Sequence, residues 1–331
     1  MKNENERYDS VQLMRGIAAV SVIFSHILMF EVGGFGVDLF FCISGFIMMH
    51  VTQKNDNKFL LKRAVRIIPL YWIATFSMMA LLMIMPSVFQ TSILLYENLI
   101  KSLLFIPAYM GSATDQSFAL LRIGWTLVME VFFYLVFFIC MKINHKLRHV
   151  ITTIAFIIMV ISGLLISTDN IYVAFYFSPI ILEFSLGMFA YKIFTKRSKD
   201  GRSMFPIVFS AFIWTGLFIA KPVAFFTNPD RFLLYGLPSF LFFILIFKFF
   251  EHKKVPHFCV MLGNISYSLY LTHFFIVNGF SRLIYNLDEF TIIGALLSIF
   301  IVIPLCIGLA WVSWYLFEKR FTNWVRKKLK I

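Results

Sequence analysis

Charge is scarce in this sequence: Asp, Glu, Lys and Arg make up 14% of 331 residues, whereas 60% are hydrophobic, 42 of them phenylalanine. Mean hydropathy is +0.82. Soluble domains carry roughly 25% charged residues, and a chain this poor in charge cannot clothe a globular surface with polar groups, which excludes an ordinary soluble protein. Cysteine is scarcer still. Cys42, Cys140, Cys259 and Cys306 are widely spaced with no paired motif, so they read as small apolar fillers and not as disulfides or a metal site. Internal repeats and low-complexity tracts are missing too. The first apolar run has no small-residue cleavage site and is expected to stay as an anchor. With no appended soluble domain expected after the last span, residues 1–331 read as one transmembrane domain.

What the chain does have is apolar blocks of ~17–25 residues, long enough to cross a hydrocarbon core of ~30 Å. They predict an all-α polytopic membrane protein of about ten transmembrane helices, at 11–30, 35–50, 67–85, 123–141, 150–167, 171–194, 204–220, 232–250, 262–285 and 292–314. The longest connection, 86–122, contains Pro86, Pro107 and Gly111 and is expected to hold an interfacial helix around 99–105, or a lid. The net charge of +13, from 30 Lys+Arg against 17 Asp+Glu, would suggest nucleic acid in a soluble protein. Sorted by side it is an orientation signal instead. With the N-terminus cytoplasmic, 24 cations face inward, Lys101, Arg122, Lys221, Arg231 and Arg282 face outward, and Arg15 lies within the first span. Such a bias predicts both termini inside, in the plasma (inner) membrane, with membrane lipid and no nucleic acid as partner.

An ionisable side chain within a span costs ~2.5–3.5 kcal/mol on insertion scales, which makes these residues the first place to look for function. They are Arg15, His26, Asp38, Glu130, Glu183 and His273, with His50 at a span end. Arg15 and His26 are eleven residues apart, about 1100° around a helix, so they share a face with a rise of ~16 Å between them. Ala18, Ala19 and Val22 on that stripe are small enough to leave room for a thin substituent. Asp38 follows Gly33, Gly34 and Gly36 at the start of the second span, and Asp38, Glu130 and His26 are expected at similar depth. A carboxylate bonded to one imidazole nitrogen fixes the tautomer and raises the basicity of the other, which suits a general base acting on a hydroxyl; an ion pair that only joins helices would read the same way. Arg63 and Arg66 share a face just before the third span, and paired guanidiniums grip phosphates well. Positive-inside loops produce similar pairs.

The segments RGIAAVSVIFSH (15–26), GVDLFFCISGF (36–46), FLLKRAVRIIPLYW (59–72), WTLVMEVFFY (125–134), LEFSLGM (182–188), LGNISYSLYLTH (262–273) and YLFEKRF (315–321) closely resemble the acyltransferase-3 family of integral membrane O-acyltransferases. The likeness runs in order over nearly the whole chain, and the early segments look most like the branch that acetylates exopolysaccharides. The resemblance implies transfer of an acyl group, acetyl foremost, from cytoplasmic acyl-CoA as co-substrate, without a metal, to a hydroxyl of a cell-surface polysaccharide or lipid-linked glycan. It also implies ten core helices with both termini inside. The family's arginine, ten intervening residues and histidine fall on Arg15 and His26, its paired arginines on Arg63 and Arg66, and its span-four glutamate on Glu130, which Val131 follows where relatives often carry a second polar residue. His26 is then the expected general base or acyl carrier, Asp38 or Glu130 its orienting acid, and Arg15, Arg63 and Arg66 the expected ligands of the donor phosphates. Three alternatives stay open at this point. A polysaccharide-assembly partner could complete the transfer. The buried His, Asp, Glu and Arg could form the relay of a transporter or acyl-group exporter. The chain could also be a scaffold in polysaccharide assembly.

Overall fold

The computed structural model describes residues 4–28, 34–53, 58–85, 96–108, 119–166, 170–195, 230–250, 253–283, 298–329 and 331. Among them every regular element is helical and no strand occurs. In chain order the helices are α1 (Glu4–Leu28), α2 (Phe35–Val51), α3 (Phe59–Ile84), α4 (Tyr96–Leu103), α5 (Trp125–Ile143), α6 (Arg148–Leu165), α7 (Ile171–Tyr176), α8 (Leu182–Thr195), α9 (Leu237–Phe249), α10 (His257–Leu283), α11 (Ile303–Ser313) and α12 (Thr322–Leu329). Single 3₁₀ turns lead into α5 and α8, and wider π-type turns precede α9 and α11 and join α11 to α12. Eight described helical stretches are long and apolar enough to cross a membrane, and Phe35–Val51 is a shorter apolar helix. The all-α polytopic architecture is therefore that expected from composition. The expected span 204–220 and the first part of 292–314 lie outside the described residues.

Two spans differ from expectation for local reasons. α3 begins at Phe59, two turns before 67, so Arg63 and Arg66 lie within it and Pro69 sits in its interior. A proline there removes one backbone hydrogen bond without ending the helix, since residues on both sides are helix formers. The stretch 171–194 is broken in two. Asn170 caps α7 by accepting from the N–H groups of Tyr172 and Val173 at 2.9 and 3.3 Å, and Pro179 holds Ser178 extended before the turn into α8.

The chain divides into two compact units. One holds the described residues of 1–22, 31–57 and 133–264. Its centre is the crossing of α2 and α8, where a Cβ on Gly45 would run into the Phe184 carbonyl oxygen and one on Gly187 into that of Cys42. Beside it Phe184 stacks on Phe133 at 4.1 Å and tilts against Phe41 at 4.7 Å. The N-terminal turn of α2 also lies close to α1. A Cβ on Gly36 would meet the Ala18 carbonyl oxygen and the Val22 side chain. The room expected along Ala18 and Val22 is thus taken by α2, because a glycine lets the two backbones touch.

The second unit holds the described residues of 23–30, 58–132 and 265–331. α4, the helix expected in the long connection, is fastened at its C-terminal end: Trp72 Nε1 donates to the Leu103 carbonyl at 2.9 Å, and Ser102 Oγ accepts from the Leu120 N–H at 2.8 Å. α10 is tied to α3 by the Tyr267 hydroxyl, which donates to the Ile67 carbonyl at 2.8 Å. Glu318, before α12, accepts from the N–H and Oγ of Ser268.

Candidate functional site

His26 lies in the last turn of α1. Its side chain is accessible although many protein atoms lie around it. Against it lies the ring of His273 from α10, with centroids 5.3 Å apart and planes inclined by 42°. Phe274 meets His26 edge-on at 6.5 Å. Arg122, in the turn leading into α5, is a charged group within electrostatic reach of His26.

His273 is fully buried. Its Nδ1 lies 3.1 Å from the Leu269 carbonyl oxygen one turn earlier, and since a carbonyl only accepts, Nδ1 carries the proton and Nε2 the lone pair. That Nε2 is buried with no hydrogen-bond partner among the described residues. Buried polar atoms of this kind are rare in native structures. The next ring is Tyr270, at 5.8 Å from His273; its hydroxyl donates to the Ile123 carbonyl at 2.8 Å and lies 2.8 Å from Thr126 Oγ1. Glu130, one turn beyond Thr126 on α5 and half-buried, is within electrostatic reach of Tyr267 and Tyr270, and Arg66 and Glu318 within reach of Tyr267. The structure thus gathers His26, His273 and Tyr270 in one chain of ring contacts, with Arg122 within electrostatic reach of His26 and Glu130 and Arg66 around the neighbouring tyrosines. Arg63 and Arg66 lie half-buried on one face of α3.

In the other unit Asp38 sits in the first turn of α2, fully buried, and both of its carboxylate oxygens accept from Arg231 Nη2, at 3.1 and 3.0 Å. Arg231 is 3% exposed and its guanidinium lies 5.1 Å from the centre of the Tyr235 ring. Arg231, which the charge sorting counted on the outward side, is buried here, since a buried carboxylate requires a counter-charge and Arg231 supplies it. Glu183 of α8 is also fully buried, in electrostatic contact with Asp38, and Gly236 leaves the space its Oε1 occupies. Arg15 is buried, with Nη1 donating to Gln12 Oε1 at 3.0 Å.

Sequence reasoning found His26 but did not give His273 a part. Its signal was present, because an imidazole at the end of LGNISYSLYLTH is a second intramembrane histidine with no acid near it in sequence. Among the described residues no group of three or more His, Cys, Asp or Glu could hold a metal.

The family described as "Acyltransferase domain" (Acyl_transf_3) matches residues 8–315. "Exopolysaccharide production protein ExoZ" of Rhizobium meliloti (strain 1021) is 30% identical over 256 residues, 75% of this chain and 78% of that protein. No solved structure matches. The matched stretch begins within α1, takes in His26, Arg122, Glu130 and His273, and ends past α11; on that extent the chain belongs to the acyltransferase-3 family.

Proposed function

We propose that this protein is a membrane O-acyltransferase that moves an acyl group, acetyl foremost, from cytoplasmic acyl-CoA to a hydroxyl of a cell-surface polysaccharide or lipid-linked glycan. The observation that carries the reading is the accessible His26 imidazole held among apolar helices, in a chain matched to an acyltransferase family over residues 8–315. The printed name of the relative, which speaks of exopolysaccharide production, supports a glycan acceptor.

In this reading Arg63 and Arg66 hold the donor phosphates, where two guanidiniums on one helix face can each bind an oxygen pair. His26 takes the proton of the acceptor hydroxyl as its oxygen attacks the thioester carbonyl carbon. Arg122 lends positive charge to the oxyanion that forms. When the C–S bond breaks, the thiolate takes the proton back from the imidazolium, leaving a sugar ester and free CoA thiol. Glu130 contributes negative charge in this region while the imidazolium exists. Asp38, engaged by Arg231, holds helices together.

Purified protein given labelled acetyl-CoA and a glycan extract is expected to yield stable labelled ester and an equal amount of free CoA. His26→Ala is expected to insert normally and form no ester. Normal ester formation by that variant, or label carried across vesicles without ester from the native protein, overturns the reading.

A further inference from the structure

We propose that His273 is the positioning partner of His26, an inference that rests on the acyl-transfer reading above. The geometry is a buried imidazole whose Nδ1 proton is committed to the Leu269 carbonyl and whose Nε2 lone pair has no hydrogen-bond partner among the described residues. Its ring lies 5.3 Å from that of His26, a separation at which ring nitrogens turned toward each other come within hydrogen-bonding distance. Nothing else among the described residues explains why an acceptor is buried there. The Leu269 bond would hold the ring in place without it, and an apolar ring would fill the same space without an unsatisfied atom.

The consequence for His26 is a fixed tautomer. With the His26 ring turned toward His273, one of its nitrogens donates a proton to His273 Nε2, and the other must then carry the lone pair, which is the form a general base needs. When His26 takes the acceptor hydroxyl's proton, the N–H already shared with His273 becomes that of an imidazolium, and the His273 lone pair stabilises the cation. The proton later leaves with the CoA thiolate, so His273 is neither protonated nor consumed. This is the part a carboxylate takes in a hydrolase triad. A neutral imidazole suits an apolar interior, where a second bare carboxylate would need its own counter-charge, as Asp38 needs Arg231.

The test compares His273→Phe, which keeps a ring and removes the acceptor, with His273→Gln, which restores one. His273→Phe is expected to lower kcat by roughly 10- to 100-fold with KM for acyl-CoA unchanged, and His273→Gln to recover part of the loss. His273→Ala is expected to be inactive alone and to regain activity saturably with added imidazole, which fits the space vacated. Native kcat in folded His273→Phe overturns the proposal. So does an equal loss in the Phe and Gln variants without imidazole rescue, which marks a packing role. If His273→Phe is not recovered folded, the imidazole titration of His273→Ala decides alone. Active His26→Ala would instead sink the acyl-transfer reading itself, so the two failures are told apart.

Discussion

Asp38 and Arg231 illustrate how one buried charge dictates another. With Asp38 at 0% and Arg231 at 3% exposure, removing either leaves its partner charged in an apolar surrounding, which typically destabilises by about 3–5 kcal/mol, whereas replacing both by neutral groups of like size is often close to neutral. Arg231→Met alone is therefore expected to lower the thermal unfolding temperature sharply in detergent. Combining it with Asp38→Asn is expected to restore most of the loss, and the double variant is expected to retain acyl transfer. A double variant that is stable but inactive would return Asp38 to the chemistry. Asp38 was legible in the sequence as an acid within a span. Arg231 was not, because it stands 193 positions away, and a sequence read for charge alone cannot tell a loop cation from a buried counter-ion.

At the scale of helices, the α2 and α8 crossing is set by two glycines meeting the opposite backbone. Lipid offers no hydrophobic drive for helices to associate, so close approach and the dispersion it permits hold such pairs together. Gly45→Ala or Gly187→Ala puts a methyl group onto a carbonyl oxygen that belongs to rigid backbone, and each is expected to destabilise by about 1–3 kcal/mol or to displace the helices. Gly279 and Gly308 are the internal control. A Cβ there meets nothing within 4 Å, and since glycine inside a helix costs roughly 0.5–1 kcal/mol relative to alanine, alanine at these positions is expected to be neutral or stabilising in the same thermal assay. The helices themselves were legible from apolar length, but the break before α8 was not read, because hydropathy runs unbroken past Ser178 and Pro179. Which helices cross was not legible either, because α2 and α8 are apolar around most of their circumference and periodicity then says little about partners. The early start of α3 was hidden for a related reason: its first turns carry Lys62, Arg63 and Arg66, which a hydropathy reading assigns to a loop.

For the whole molecule, the proposed separation of a cytoplasmic donor from an outer acceptor makes sidedness a measurable property. The inward bias of 24 cations against five predicts where donor phosphates meet the protein, and α3 carries Arg63 and Arg66 on one face at its N-terminal end. In sealed vesicles of known orientation, acyl-CoA is expected to support ester formation only when supplied on the cytoplasmic side, since its charged nucleotide cannot cross the bilayer. Losing one charge-assisted contact to phosphate is worth about 1.5–3 kcal/mol, so Arg63→Ala or Arg66→Ala is expected to raise KM for acyl-CoA by about tenfold or more while leaving kcat nearly unchanged. A fall in kcat at constant KM would move these arginines from donor binding to the reacting centre, and unchanged kinetics would leave them as orientation charges alone. Because His273 variants are expected to change kcat at constant KM, the two sets of variants separate along the two kinetic axes. Each variant measured over a range of acyl-CoA concentrations thus distinguishes the proposed donor grip on α3 from the proposed histidine pair formed by α1 and α10.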